Sequence, residues 1–191
     1  MTMHDAAEVE LGEALDRLVG QPVGSGRPSP APDVVNLPMI RHWAAAFEDR
    51  NPVYTDAACA ARSRFGEIVA PPLMLQTWTM ATPIITGIAE RGGSPTETGD
   101  AGPLAVFDEA GFVGTLASNS EFEIDRYLHL GEMIEATTVV ESISDLKTTR
   151  LGPGYFLTWL TTYTDSRGEV VGRQRFRILK FRLPTPSRDD P

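Results

Sequence analysis

The order of patterns along this chain predicts an α+β fold, with helical periodicity in the first half and strand alternation in the second. Apolar residues recur at helical steps through Met39, Ile40, Trp43, Ala44 and Phe47, and again through Met74, Trp78, Ala81, Ile85 and Ile88. From Glu121 onward the period changes to two. Turn signals at Gly152-Pro153-Gly154 and Asp165-Ser166-Arg167-Gly168 then separate runs rich in Thr, Val, Ile and aromatic residues. Helices followed by an antiparallel meander are the signature of this class.

Residues 6–19 carry Val9, Leu11, Leu15, Leu18 and Val19 at helical spacing, with Glu8, Glu10 and Glu13 toward the positive end of the helix dipole. Gln21 to Pro32 is rich in Gly, Pro and Ser and reads as a loop. Residues 1–34 are therefore expected to be a helix and a loop ahead of the main domain, 35–183. Asn36 is a good N-cap for a second helix, and Pro38 falls in its first turn, where a missing N–H costs little. That helix should end at Asp49-Arg50-Asn51-Pro52, because the residue before proline avoids helical backbone. Asp56 caps a short third helix, Ala57 to Arg64, and Gly66 stops it.

The fourth helix is expected from about Pro72 to Ile88, buried on most sides, with Pro83 as a kink or an early end. Residues 89–114 read as a long connection with Leu104-Ala105-Val106-Phe107 in its middle. Strands follow: one around Phe122 and Ile124, then Met133 to Ile143, Tyr155 to Thr164, and Glu169 to Leu183. The last strand sets Arg173, Arg175 and Arg177 on one face and Phe176 and Ile178 on the other. Residues 184–191 are expected to be a Pro-bearing tail.

A length of 191 residues suits one domain, and 41% hydrophobic with 23% charged residues is ordinary for a soluble globular chain. The net charge of −9 argues against nucleic acid or an anionic membrane as a partner, since both select basic surfaces. Cys59 is the single cysteine, so no internal disulfide forms; on its Ala-rich helix it reads as a buried, inert thiol. Met1-Thr2-Met3-His4-Asp5 lacks the basic and apolar regions of a signal peptide, and no apolar run reaches roughly 20 residues. A cytoplasmic location is expected, with neither a metal nor a bound cofactor.

The chemistry-bearing stretch is Phe47 to Trp78. It contains Asp49-Arg50-Asn51-Pro52-Val53-Tyr54-Thr55-Asp56 and then Phe65-Gly66-Glu67-Ile68-Val69-Ala70-Pro71-Pro72-Leu73-Met74-Leu75. With the strands after it, this order resembles the MaoC-like enoyl-CoA hydratases and dehydratases over residues 35–183. The resemblance implies the hotdog fold, an antiparallel sheet wrapped around a long central helix. Active members of that family read Asp-x-Asn-Pro-x-His-x-Asp and then Phe-Gly-x-x-(Ile/Val)-Ala-His-Gly-(Met/Leu)-Leu.

Hydration of an enoyl thioester needs a base for water, an acid for the α-carbon, and a donor for the charge that builds on the thioester oxygen. In the family that this chain resembles, an Asp and a His five residues later move the protons, and the backbone N–H of the Gly holds the oxyanion. Here Asp49 matches the Asp, Tyr54 stands where the His belongs, and Pro72 stands where the Gly belongs. A phenol with a pKa of about 10 is a poor base at neutral pH, and proline has no N–H. The resemblance thus implies that this chain carries no catalytic residues, Asp49, Tyr54 and Pro72 being degenerate positions. The histidines do not compensate. His4 lies in a terminus read as loose, His42 on a helix surface between Arg41 and Trp43, and His129 beside a strand turn, read as exposed.

The Ala70-Pro71-Pro72 hinge is similar to that of the inactive half in family members built from two unlike hotdog subunits. Thr149-Arg150-Leu151-Gly152-Pro153-Gly154-Tyr155-Phe156 and Arg175-Phe176-Arg177-Ile178-Leu179-Lys180-Phe181 most resemble the actinobacterial steroid side-chain hydratases. The resemblance implies a partner, a second and catalytic MaoC-like hotdog subunit that supplies Asp and His, in a heterodimer or a pair of heterodimers. It implies an acyl-CoA substrate with a bulky acyl chain, and candidate tunnel-lining residues Leu73, Met74, Thr77, Leu104 and Phe107. In that branch a further OB-fold and zinc-ribbon domain often follows. An anionic CoA would need local cations, for which Arg150, Arg173, Arg175 and Arg177 are candidates. Two other readings stay open: a self-sufficient hotdog thioesterase or dehydratase using Asp49, and a non-enzymatic acyl-binding hotdog.

Overall fold

The computed structural model describes residues 3–80, 85–87 and 102–183. Along the chain these form α1 (Met3–Leu18), β1 (Ser29–Pro30), α2 (Leu37–Ala46), a 3-10 turn over Pro52–Tyr54, α3 (Ala57–Ala61), and a second 3-10 turn over Pro72–Met74 that runs into α4 (Leu75–Trp78). After these come α5 (Gly102–Glu109), β2 (Gly114–Ile124), β3 (Ile134–Ile143), β4 (Lys147–Thr149), β5 (Gly152–Asp165) and β6 (Val170–Phe181).

The Thr-, Val- and aromatic-rich runs build one antiparallel sheet in the order β1-β3-β5-β6-β2, with β4 also on β5. The central pair, β5 and β6, runs in register from Gly154 opposite Phe181 to Tyr163 opposite Gly172, and a one-residue shift then sets Thr164 opposite Val170. Gln21 to Pro32, read as a loop, instead follows the outer edge of β3. Val140 N donates to Gln21 O (2.9 Å), Val23 N to Thr138 O (2.9 Å) and Ala31 N to Ile134 O (2.8 Å). The stretch looks like a loop because Gly and Pro dominate it, yet its backbone groups bond to the sheet. At the opposite end of the sheet, β2 pairs with β6.

The helices cover one face in two cores. Ile40, Ala60, Val69, Met74, Leu75 and Trp78 pack against Leu128, Ile134, Tyr163 and Val171. Leu15, Phe107 and Phe112 pack against Val140, Leu157 and Ile178. The α4 helix approaches β6 closely at Gly172, where a Cβ would lie 2.7 Å from the backbone oxygen of Glu123 and 2.8 Å from Leu75 Cδ2, so only glycine fits there.

Several expectations are corrected. The helix from Pro72 ends at Trp78, not Ile88. Thr79 N and Met80 N bond back to Gln76 O (3.3 Å) and Thr77 O (3.4 Å), a tightened last turn. Ile85 to Gly87 are not helical, and Gly87 has φ 72°; the remainder of that helix call, at 81–84 and 88, lies outside the described residues. The central helix is thus short where it is described. Residues 102–109, read as part of a long connection, form α5, while 89–101 lie outside the described residues, as does the tail call at 184–191. His4 lies on α1, not in a loose terminus.

The α2 helix ends earlier than expected, at Ala46. Glu48 adopts φ 52°, Glu48 N bonds Ala45 O (3.3 Å) and Asp49 N bonds Ala44 O (2.8 Å), a Schellman closure with a non-glycine left-handed residue. The N-caps are as read: Asn36 Oδ1 accepts from Met39 N (3.0 Å), and Asp56 Oδ1 from Ala58 N (2.9 Å) and Cys59 N (3.0 Å). The α3 helix is shorter than expected, ending at Ala61. The thiol of Cys59 is half-buried rather than buried.

Two charged anchors hold this arrangement. Lys180, 2% exposed on the helix side of β6, donates to Asp108 Oδ1 (2.6 Å) on α5 and to Thr115 Oγ1 (2.9 Å) on β2. Removing Asp108 leaves that ammonium buried without its counter-charge. Asp108→Asn should lower unfolding free energy by about 1–2 kcal/mol, at the low end because Asp108 is half exposed to water. Lys180→Met, which removes the buried charge itself, should cost less. Chemical denaturation of the two variants checks the order.

Asp165 closes the β5–β6 hairpin. Its Oδ1 accepts from Arg167 N (2.9 Å) and Glu169 N (3.0 Å), and its Oδ2 from Arg126 Nη2 (2.9 Å) and Arg167 Nη2 (3.2 Å). Burial pushes this carboxyl up, but the Glu169 and Arg167 backbone donors and the Arg167 and Arg126 guanidinium groups outweigh it and hold it at about 2. The folded value lies below the ordinary 3.8, so the stabilisation is complete above that pH and is lost as pH falls toward 2. Asp165→Asn should flatten the dependence of melting temperature on pH in that acid window, measured by thermal melts from neutral pH downward.

Candidate functional site

The Schellman closure of α2 delivers Asp49 into the turn that precedes Pro52. Its half-buried carboxylate is already engaged, with Oδ1 accepting from Asn51 N (3.0 Å). Asn51 Oδ1 in turn accepts from Val53 N (3.3 Å) and caps the 3-10 turn that carries Tyr54. Tyr54 is only 7% exposed. Burial raises its pKa above 10, the nearby Tyr127 and Asp49 raise it further, and a side-chain hydrogen bond with Asn51 opposes them. At neutral pH it is therefore a protonated, hydrogen-bonded phenol. It can donate one hydrogen bond but cannot accept a proton from water.

The hinge is positioned by the sheet. Val69 forms a bridge with His129, and Ala70 N donates to Leu128 O (2.8 Å). Pro71 is extended at ψ 134°, and Met74 N returns to Pro71 O (3.0 Å) to start the helical turn. Neither Pro71 nor Pro72 has an N–H, so these two positions offer no donor to an oxyanion.

The candidate lining residues separate into two places. Leu73 is 55% exposed, Thr77 half-buried and Met74 fully buried at the head of the central helix. Leu104 (half-buried) and Phe107 (fully buried) lie on α5 in the second core. Beneath the helix head is a polar network not expected from the sequence. Tyr163 Oη donates to Gln174 Oε1 (2.8 Å), and Gln174 Nε2 donates to Gln76 Oε1 (3.0 Å) and Ser120 Oγ (2.9 Å). It joins α4, β5, β6 and β2. Gln174, between Gly172 and Phe176 on the inward face of the β6 alternation, was the signal that could have found it.

His129 is half-buried rather than exposed. Its Nδ1 lies 2.9 Å from Glu67 Oε1, and its backbone N donates to Glu132 Oε2 (2.6 Å). His42 is exposed on α2. Among the described residues no group of three or more His, Cys, Asp or Glu is placed to hold a metal ion. Of the arginines considered for CoA, Arg173 donates to Asp125 (3.2 Å), Arg175 to Glu141 (2.8 Å) and Arg177 to Thr158 (3.2 Å), while Arg150 is exposed in the turn between β4 and β5.

Residues 22–174 match the family described as FAS1-like, dehydratase domain region. This chain belongs to that family. It is 45% identical over 158 residues, 82% of its length, to the probable enoyl-CoA hydratase alpha subunit of Thermomonospora curvata. It is 38% identical over 174 residues, 91% of its length, to the 3-oxo-4,17-pregnadiene-20-carboxyl-CoA hydratase alpha subunit of Mycobacterium tuberculosis. The two matches take in 48% and 52% of those proteins, so the chain spans about half the length of the curated relatives it matches. A chain of the ChsH1-ChsH2 complex from Mycobacterium tuberculosis superposes with TM-score 0.77 at 34% identity, covering 96% of this chain and 99% of that one. The (R)-hydratase from A. caviae superposes at TM-score 0.53 with 16% identity, covering 87% of this chain and 96% of that one, a likeness of fold alone. The α+β hotdog fold of the MaoC-like group is thus the fold of this chain.

Replacing Tyr54 by Phe should lower stability by about 1 kcal/mol, the size of one neutral hydrogen bond. Ultraviolet titration of wild type minus Tyr54→Phe should show a phenol ionising above pH 10; ionisation below 10 would contradict the buried setting.

Proposed function

We propose that this chain is the degenerate, MaoC-like half of a heteromeric enoyl-CoA hydratase that acts on a bulky acyl-CoA of the steroid side-chain kind. The observation that carries this reading is the pairing of a buried, protonated Tyr54 with a hinge, Pro71-Pro72, that has no N–H to donate. Proton transfer and oxyanion binding then fall to a second hotdog subunit with Asp and His. The names of the relatives, alpha subunits of enoyl-CoA and steroid carboxyl-CoA hydratases, support this assignment. The outer edge of β2, the last strand of the sheet order, suits pairing with the partner sheet. On this reading Leu73, Thr77 and Leu104 contact the acyl chain, with the buried Met74 and Phe107 holding them from behind. No described helix is long and apolar enough to cross a membrane, in keeping with the proposal that the complex works in the cytoplasm.

Hydration of a steroid side-chain enoyl-CoA should be absent with this chain alone and appear when it is co-expressed with an Asp/His hotdog subunit. Asp49→Asn, which keeps an acceptor for Asn51 N, should leave the rate of the mixture essentially unchanged. Turnover by the chain alone that Asp49→Asn abolishes would instead establish a self-sufficient thioesterase or dehydratase.

A further inference from the structure

Several cations of this acidic chain are neutralised within it. Arg126 donates to Glu132 (3.0 Å) and Asp165 (2.9 Å), while Arg173 and Arg175 are held by Asp125 and Glu141. Arg64 is different. It is exposed just past α3 and has no ion-pair or hydrogen-bond partner among the described residues. Its guanidinium carbon lies 4.8 Å from the centre of the Phe65 ring and 5.9 Å from that of Tyr127. The two rings are 4.7 Å apart and tilted by 41°. Aromatic faces, not an acid, hold this charge in place, so its fork of N–H donors stays free for an anion.

Beside it opens a pocket of about 500 Å³ with Arg64, Phe65, Tyr127, Arg126 and His129 in its walls. That is the volume of a small-molecule site. The one acid in the wall, Asp125, is occupied by Arg173. The pocket adjoins the candidate site: Tyr127 is close enough to Tyr54 to raise its pKa, and the segment from Phe65 leads to the Pro71-Pro72 hinge. Two tilted aromatic rings beside a guanidinium with no acid partner among the described residues suit a ligand that is both planar and phosphorylated. Rings stack on the base, and the fork pairs with phosphate oxygens. With a net charge of −9, the chain repels such a ligand except where a free cation meets it.

We propose that Arg64, Phe65 and Tyr127 form the subsite that receives the adenine-nucleotide end of the acyl-CoA. This rests on the reading of the chain as half of an acyl-CoA hydratase. It assigns to this chain a binding duty besides shaping the tunnel, and it moves that duty away from the arginines of β6.

Calorimetric titration of the chain with coenzyme A, adenosine 3′,5′-bisphosphate and ATP tests the proposal. Coenzyme A and the bisphosphate should bind wild type, and more weakly as salt rises. Arg64→Ala should weaken both by about tenfold or more, the size of a lost charge-assisted hydrogen bond. Arg64→Lys should recover only part of this, because lysine neither stacks nor forks. Arg17→Gln, an exposed arginine change on α1, should have no effect. Arg64 is exposed, so these variants should fold; their melting temperatures confirm it. Absent binding of coenzyme A, or equal affinity in Arg64→Ala, would overturn the subsite. ATP binding as tightly as coenzyme A, with the same dependence on Arg64, would overturn its assignment to acyl-CoA. Turnover by the mixed subunits with unaltered substrate affinity in Arg64→Ala would sink the subsite and leave the hydratase reading standing. Arg64-dependent nucleotide binding with no turnover in any mixture would do the reverse.

Discussion

The pairing register of β5 and β6 is the constraint on which the rest of this chain depends. The hairpin between them is closed by the Asp165 carboxylate, which takes two backbone donors, Arg167 N and Glu169 N, and two arginines. With that closure, Gly172 lies opposite Tyr163 and Gln174 opposite Thr161. A slip by one residue would exchange the faces of β6. Arg173, Arg175 and Arg177 would then meet the helices, and Gln174, Phe176 and Ile178 would face away. The close approach of Leu75 to Gly172 would be lost as well. One hydrogen-bonded loop thus decides where the head of the central helix can sit, and that head carries the hinge.

The turn from Asp49 to Asp56 is held by bonds between side chains and backbone. Asp49 still accepts from Asn51 N, Asn51 still caps the turn at Pro52, and Asp56 still starts α3. These bonds satisfy backbone donors, and they persist whatever occupies position 54. Tyr54 is a buried phenol, and burial raises further a pKa that is already too high for a base at neutral pH. The prolines likewise keep the chain direction at the hinge while removing the donor. The local scaffold therefore depends on side chain to backbone bonds and not on the chemistry of the residue at position 54.

Elements whose cause is local could be read from the sequence. Asn36 and Asp56 cap their helices because their side chains reach a backbone N–H two or three residues on. The strands of the second half follow from period-two alternation. Elements that depend on distant partners were misread or missed. Glu48 ends α2 in a left-handed conformation usually left to glycine, so the helix stopped before the proline that appeared to end it. Gln21 to Pro32 has the composition of a loop, but its backbone bonds to β3. The α5 helix is short and lies beyond a Gly- and Pro-rich run, and it is anchored by Lys180 seventy-two residues away.

The sequence by itself determined the class and the family frame. Proline lacks an N–H and tyrosine lacks an imidazole in any fold, so what these side chains can offer needs no coordinates. Only the tertiary structure decided what became of the remaining groups. It buried Tyr54, closed β6 arginines onto acids of β2 and β3 or the loop after β2, and joined Gln174 to Tyr163, Gln76 and Ser120. It also left Arg64 without an acid partner among the described residues, over two rings that are 62 residues apart in the chain. Whether a charge is free depends on which distant acids the sheet brings within a few ångströms, and the pattern along one strand does not contain that information.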